Sequence, residues 1–199
     1  MKKSLGPKTL IYPTPVLVVG SYNADGTANI MTAAWGGVAS SKPATIAVSI
    51  RSATATWGNI MQRKAFTVSI PSESQAVHAD YAGLVSGREH NKMIELGLTP
   101  TPSDLVDAPY AAEFPIVLEC RLTDSHDLGM HTQFLGEVID AKVEYAVLTE
   151  RETVDITLLR PIVYAMGTQA YFGLGHHLGA AFEIGRSEFP LPPAGVAEE

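Results

Sequence analysis

Apolar and polar positions alternate along much of this chain in short runs separated by turn residues, a pattern that predicts strands before helices. PVLVVG at 15–20 is a β-rich run, and Asn23-Ala-Asp-Gly26 behind it carries the Asp-Gly turn signal, so a hairpin into a strand over 27–35 is expected. ATIAVSI at 44–50, after Pro43, reads as a third strand and AFTVSI at 65–70 as a fourth, with a short helix over 55–63 between them. Ser72-Glu-Ser-Gln75 matches a capping box, and Val77, Tyr81 and Leu84 follow at helical spacing as one apolar face, with Gly87 as the stop. A shorter helix is expected over 91–96, ended by Gly97, and the proline-rich stretch 98–115 reads as a loop. Strands resume at 116–122, where Ile116, Leu118, Cys120 and Leu122 alternate with Val117, Glu119 and Arg121, and again near 133–143 and 162–166.

Strands therefore come in runs with helices inserted between some pairs. This is not the regular strand–helix alternation of a doubly wound sheet, and a mainly β barrel or closed antiparallel sheet with inserted helices fits better. No repeat or linker interrupts the chain, so one domain over 1–186 with a tail over 187–199 is expected. At 199 residues such a domain buries a sizeable core.

A net charge of −7 argues against non-specific binding to nucleic acid or an anionic membrane. No apolar run approaches the ~18 residues of a membrane span. The two N-terminal lysines lack the apolar segment of a signal peptide. One cysteine, Cys120, permits no internal disulfide, and a cytoplasmic protein is the expectation.

The charge is unevenly placed. Between Thr27 and Phe66 there is no Asp or Glu, while Lys42, Arg51, Arg63 and Lys64 give that window +4 and leave −11 for the rest. The window also holds Ser49, Ser52, Thr54 and Thr56 beside the expected helix start, and hydroxyls, backbone N–H groups and an arginine at a helix N-terminus are what a phosphate requires. Just before it lies NIMTAAWGG, residues 29–37, where Trp35 stands among small residues. Small residues let backbone approach a flat ligand or a neighbouring strand, and at this level Trp35 is either an aromatic wall or core packing.

Taken together and in this order, NIMTAAW, VSIRSATATWGNI, HNKM and LGMHTQFLGEV resemble the FMN-binding split-barrel family, and within it the flavoredoxin and flavin reductase-like branch. The resemblance covers about residues 8–170 and implies a six-stranded split β-barrel, a homodimer, and FMN near the subunit interface. It implies that Asn29, Met31, Thr32, Ala33 and Trp35 line the isoalloxazine ring, with backbone N–H groups at its polar edge. Arg51, Thr54 and Thr56 match the phosphate segment, Lys92 the basic residue reaching the phosphate from the following helix, His131 a position near the flavin, and Tyr164 an aromatic position by the ring. Asn91 stands where many relatives carry an aspartate before that lysine.

Other motifs carry less. GLGHHLG at 173–179 has the wrong spacing for a dinucleotide fingerprint and no βαβ unit around it. His126, His131, His176 and His177 lack the spacing and companions of a zinc site. Cys120 reads as a buried inert thiol, and no nucleophile motif is legible. The expected function is an FMN-binding redox protein that works as a flavin reductase with NADH or NADPH as electron donor. The alternatives are an electron carrier exchanging electrons with a redox protein partner, and a flavin- or haem-binding protein without turnover.

Overall fold

The computed structural model describes residues 1–188, so the expected tail over 187–199 lies almost wholly outside the described residues. The chain enters through β1 (Thr14–Pro15) and β2 (Leu17–Tyr22), turns at Gly26 with φ +84°, and returns antiparallel as β3 (Ala28–Ala33), which places Leu17 opposite Ala33. Then follow β4 (Gly36–Ser41), β5 (Ala44–Arg51), α1 (Ala55–Arg63), β6 (Ala65–Ile70), α2 (Ala76–Leu84), α3 (Lys92–Glu95), β7 (Pro100–Pro102) and β8 (Pro109–Ala111). Two long strands, β9 (Ile116–Asp127) and β10 (His131–Val143), precede α4 (Ile156–Leu159), β11 (Val163–Ala165), β12 (Ala170–Phe172) and α5 (Ile184–Glu188).

Seven strands form one sheet in the order β3-β2-β6-β9-β10-β5-β4. Its two edge strands, β3 and β4, are consecutive in the chain and joined only by Ala34 and Trp35. From Ala33 to Gly36 a fully extended link spans at most ~10 Å, so the sheet must curl until its edges meet. The result is a split barrel. Counted as one bent strand, β3 and β4 leave the six strands expected from the sequence. Ser49 N–H of β5 donates to the Trp35 carbonyl at 2.7 Å, carrying the β4 pairing onto the link.

Period-two alternation sorts the core. Leu17, Val19, Val48, Phe66, Val68 and Phe134 share the barrel interior, while Val16, Val18 and Ile30 point the other way, under α2, α3 and the 98–114 segment. Burying each of the larger side chains stabilises the fold by about 1.5–3 kcal/mol. α1 begins at its N-cap Thr54, whose hydroxyl oxygen accepts from Trp57 N–H at 3.2 Å, and ends at Lys64 in the left-handed region. It delivers Ile60 into the interior cluster.

Three expectations are corrected. The unannounced β4 has no hydrophobic alternation in GGVASS and exists because it pairs with β5. The 98–115 loop contains the β7–β8 hairpin. On α2 the face toward the barrel is not Val77, Tyr81 and Leu84: Val77 and Leu84 are 75% and 71% exposed, and Ala79 and Ala82 are fully buried instead. The reason is proximity. Thr32 Oγ1 donates to the Ala79 carbonyl, and a Cβ on Gly83 would lie 3.4 Å from Thr32 Cβ, so only small residues fit beneath the helix. The helix ends at Leu84, before Gly87. Among the described residues no helix is long and apolar enough to cross a membrane.

The seam itself requires glycine. A Cβ on Gly36 would meet Leu17 Cδ1 at 2.6 Å and the Ala47 carbonyl oxygen at 2.7 Å, whereas one on Gly37 would meet nothing within 4 Å. Overpacking of this kind costs ~1–3 kcal/mol. Gly36→Ala should lower the urea unfolding midpoint accordingly, and Gly37→Ala should leave it nearly unchanged. Equal midpoints for the two variants would show that the seam is not the tight point of the barrel.

Candidate functional site

The barrel seam opens into a cavity of about 600 Å³. One wall is the run Met31 to Trp35, the end of β3 and its link. Arg51 and Thr54 stand at one side of the cavity wall, Asp80 and Gly83 of α2 contribute another part, and His131 opens β10 beside them. Val16, Tyr164 and Tyr171 enter from the small sheet in which β11 lies between β1 and β12. A second cavity of about 320 Å³ adjoins the first, sharing Met31, Arg51, Thr54, Gly83 and Leu84, and adding Thr56, Gly87 and Lys92.

The structure thus brings Met31, Thr32, Ala33, Trp35, Arg51, Thr54, His131 and Tyr164 onto one wall system, with Thr56 and Lys92 on the adjoining one. Trp35 is 38% exposed, and its ring lies parallel to that of His131, with centroids 6.4 Å apart and planes 7° apart. Trp35 thus borders the cavity and is not part of the barrel core. Ala33 and Ala34 beside it are small, and the Thr32 hydroxyl is already bonded to the Ala79 carbonyl.

The 51–54 turn aims the start of α1 at the junction of the two cavities. Thr54 N–H and Oγ1 both donate to the Arg51 carbonyl, each at 3.0 Å. The first N–H groups of α1 lack intrahelical partners and add a partial positive charge there. The Arg51 guanidinium has no hydrogen-bond or ion-pair partner among the described residues and lines both cavities. Arg88, which sequence reasoning did not single out, grips the same turn by donating to Ala53 O at 2.6 Å and Thr54 O at 3.4 Å. It lies outside the acid-free window, and only the folded chain brings it there.

Asn29, Thr56 and Lys92 are set deeper. Asn29 lies on neither cavity wall; its Nδ2 donates to Thr56 Oγ1 at 2.9 Å, and its buried Oδ1 faces Gly87, where a Cβ would lie 2.0 Å away. Lys92 is 2% exposed, with Nζ donating to Ile30 O at 2.9 Å and Ala82 O at 2.7 Å, so it ties α2 to β3 from behind the second cavity. Desolvation lowers its pKa to about 8, with Glu95 opposing. Asn91 serves as N-cap, its Oδ1 accepting from Ile94 N–H at 3.3 Å.

The sequence also missed the acidic side of the site. Tyr171 Oη donates to Asp80 Oδ1 at 3.0 Å, and its ring leans on Tyr164 with centroids 5.6 Å apart. Burial first, and Asp80 second, push the Tyr171 phenol up to about 12, so it stays a donor. Asp80 falls inside what the sequence presented as a helix, three residues after Val77, and no motif marks it. Cys120 lies in the barrel interior away from both cavities, its thiol pushed up to about 12 by burial and then by Glu119.

Comparison with known proteins places this geometry. The flavin reductase like domain model matches residues 9–172. A flavoredoxin of Desulfovibrio vulgaris (Miyazaki F) superimposes with a TM-score of 0.88 at 47% identity, covering 93% of this chain and 100% of that one. A flavoredoxin from Methanosarcina acetivorans gives a TM-score of 0.87 at 28% identity, covering 94% of this chain and 99% of that one. An uncharacterized protein of Pyrococcus abyssi is 33% identical over 130 residues, 65% of this chain and 74% of that one. Fold, seam and family model agree, and the chain belongs to the flavin reductase like domain family.

Proposed function

We propose that this chain binds FMN and passes electrons through it as a flavin reductase-like oxidoreductase, with NADH or NADPH as donor. The observation that carries the proposal is the paired cavity at the seam: a small-residue backbone wall in one half, and an unpartnered arginine with a helix start at the junction with the other. The residues present fit the cofactor. The larger cavity lies within the usual range of ligand sites, ~300–1,000 Å³, and mixes apolar walls with a few polar groups. FMN, when bound, supplies the acceptance and release of hydride or electrons.

The chain's own groups then bind and orient. Backbone N–H groups along 31–35 would meet the ring's polar edge, and donors there would favour negative charge on it. Trp35 and His131 wall the mouth and limit water, and the His131 imidazole can hold or release a proton there. Arg51 and the start of α1 take the phosphate, Thr54 shapes their turn, and Lys92 adds its charge from behind the second cavity. Asn29 and Thr56 brace that wall, and Tyr164, which lines the larger cavity, would stand beside the ring. Hydride transfer needs no side-chain base.

A second reading, a carrier that keeps FMN bound and trades electrons with a redox protein partner, is favoured by the 47% identity to a protein named flavoredoxin. Both readings place the chain in the cytoplasm as a homodimer. The exposed apolar Val77 and Leu84 on α2 and Ile94 on α3 support a second copy covering that side. Light scattering should then give about twice the 21.2 kDa chain mass.

The primary test is to release the ligand from purified protein and identify it by mass, then to follow NADH and NADPH consumption with and without free FMN. Rapid consumption supports the reductase, and slow consumption with fast exchange with a ferredoxin-like protein supports the carrier. Colourless protein that takes up no FMN from excess ends both. Arg51→Met should weaken FMN about 10–100-fold, in keeping with loss of a charged hydrogen bond of about 1.5–3 kcal/mol, and weaken riboflavin little. Equal losses for both ligands would remove Arg51 from the phosphate.

Lys92 gives the site a pH dependence. A bound phosphate favours the charged ammonium, so above pH about 8 the complex holds a proton that the free protein has lost. FMN affinity should therefore fall as pH rises beyond about 8, by at most about tenfold per pH unit, while riboflavin affinity stays flat. Lys92→Met should flatten the FMN profile. Titrations of flavin fluorescence from pH 7 to about 10 read this out, and a wild-type profile without slope would place the ammonium beyond the phosphate's reach.

A further inference from the structure

Of all residues lining the two cavities, Asp80 alone carries a carboxylate. It stands on α2 three residues before Gly83, which with Leu84 lines both cavities, and that spacing is ~4.5 Å along the helix axis. Asp80 borders the larger cavity only. If Arg51 and the start of α1 hold the phosphate at the junction, Asp80 faces the ring. Its orientation is fixed: Tyr171 Oη holds Oδ1 at 3.0 Å, Tyr171 leans on Tyr164, and Thr14 Oγ1 donates to the Tyr164 carbonyl at 3.2 Å. The second carboxylate oxygen makes no hydrogen bond among the described residues.

We propose that Asp80, positioned by Tyr171, makes the site hold oxidised FMN more tightly than reduced FMN, and so keeps the bound flavin a strong electron donor. This rests on the FMN reading above. Hydride addition from NADH or NADPH brings two electrons and one proton to the ring, hence one net negative charge. A fixed carboxylate in a half-buried cavity opposes that charge, and burial leaves the repulsion less screened than at a surface. Arg51 does not cancel it, because the phosphate meets the guanidinium in both redox states. Backbone donors at the polar edge pull the other way, so Asp80 sets the balance and Tyr171 holds it in place.

The experiment compares the dissociation constants of reduced and oxidised FMN for the full chain, by fluorescence for one state and by dye-equilibrated potential for the couple. Asp80→Asn should improve reduced relative to oxidised binding about tenfold, which for a two-electron couple is an upward shift of about 30 mV. Tyr171→Phe should move the ratio part of the way, and the double variant no further than Asp80→Asn alone, since both changes act through one carboxylate. Glu137→Gln, which removes a carboxylate paired with Arg121 at 2.9 Å on the barrel surface, should leave the ratio as in the wild type.

An Asp80→Asn ratio matching that of Glu137→Gln overturns the proposal, and so do additive effects in the double variant. Should Asp80→Asn fail to fold, an unchanged ratio in Tyr171→Phe overturns it alone. Wild-type protein that binds neither redox form fails the cofactor reading instead, and the first titration shows which has failed.

Discussion

Ala34 and Trp35 carry the chain from one edge of a seven-stranded sheet to the other, and most of the molecule follows from that short step. Two residues cannot bridge the width of an open sheet, so the sheet closes on itself. Closure fixes which face of β2, β5 and β6 looks inward and brings Ser49 against Trp35. It also explains the small residues around the tryptophan. Gly36 has no room for a Cβ, and Ala33 is part of the interior cluster. Side chains of ordinary bulk would hold the edges apart, and the concave wall beside the seam would be lost.

The helices are fastened to this barrel at the places where a ligand would sit. Thr32 ties β3 to α2, Lys92 ties β3 and α2 to α3, and Arg88 ties the segment after α2 to the turn before α1. These fastenings consume side-chain donors that would otherwise face the cavities. What lines the larger cavity is a run of small residues, a few apolar and hydroxyl side chains, the rings of Trp35, His131, Tyr164 and Tyr171, one guanidinium without a partner among the described residues, and one carboxylate. Such a wall can hold a planar anion-bearing molecule and bias its charge.

Legibility in the sequence followed locality. α1 and β6 fall where capping and alternation put them, because Thr54, Lys64 and the AFTVSI run decide those elements within a few residues. β4 was invisible because its cause is the partner strand β5 and not its own pattern. The buried face of α2 was misassigned because hydrophobicity favours Val77 and Leu84, while the closeness of β3 admits only Ala79, Ala82 and Gly83. Glu119 looked like an outward polar position in an alternating strand. It is fully buried instead, satisfied by Leu105 N–H at 3.0 Å and Lys142 at 3.3 Å from segments far along the chain. The site divided in the same way. Met31, Trp35, Arg51 and His131 sit in motifs whose order carries the resemblance, whereas Asp80 and Tyr171 reach the larger cavity, and Arg88 the turn beside it, only through tertiary packing.

The position of Lys92 ties these threads together. A lysine this deeply buried is costly unless its ammonium finds acceptors, and two backbone carbonyls from different elements take two of its three N–H groups here. Those carbonyls belong to Ile30, one residue before the cavity wall, and Ala82, one residue before the glycine common to both cavities. Lys92 therefore holds β3 and α2 together directly beside the cavity walls. Arg51, at the open junction, is arranged differently: its carbonyl shapes the turn, while its guanidinium has no partner among the described residues.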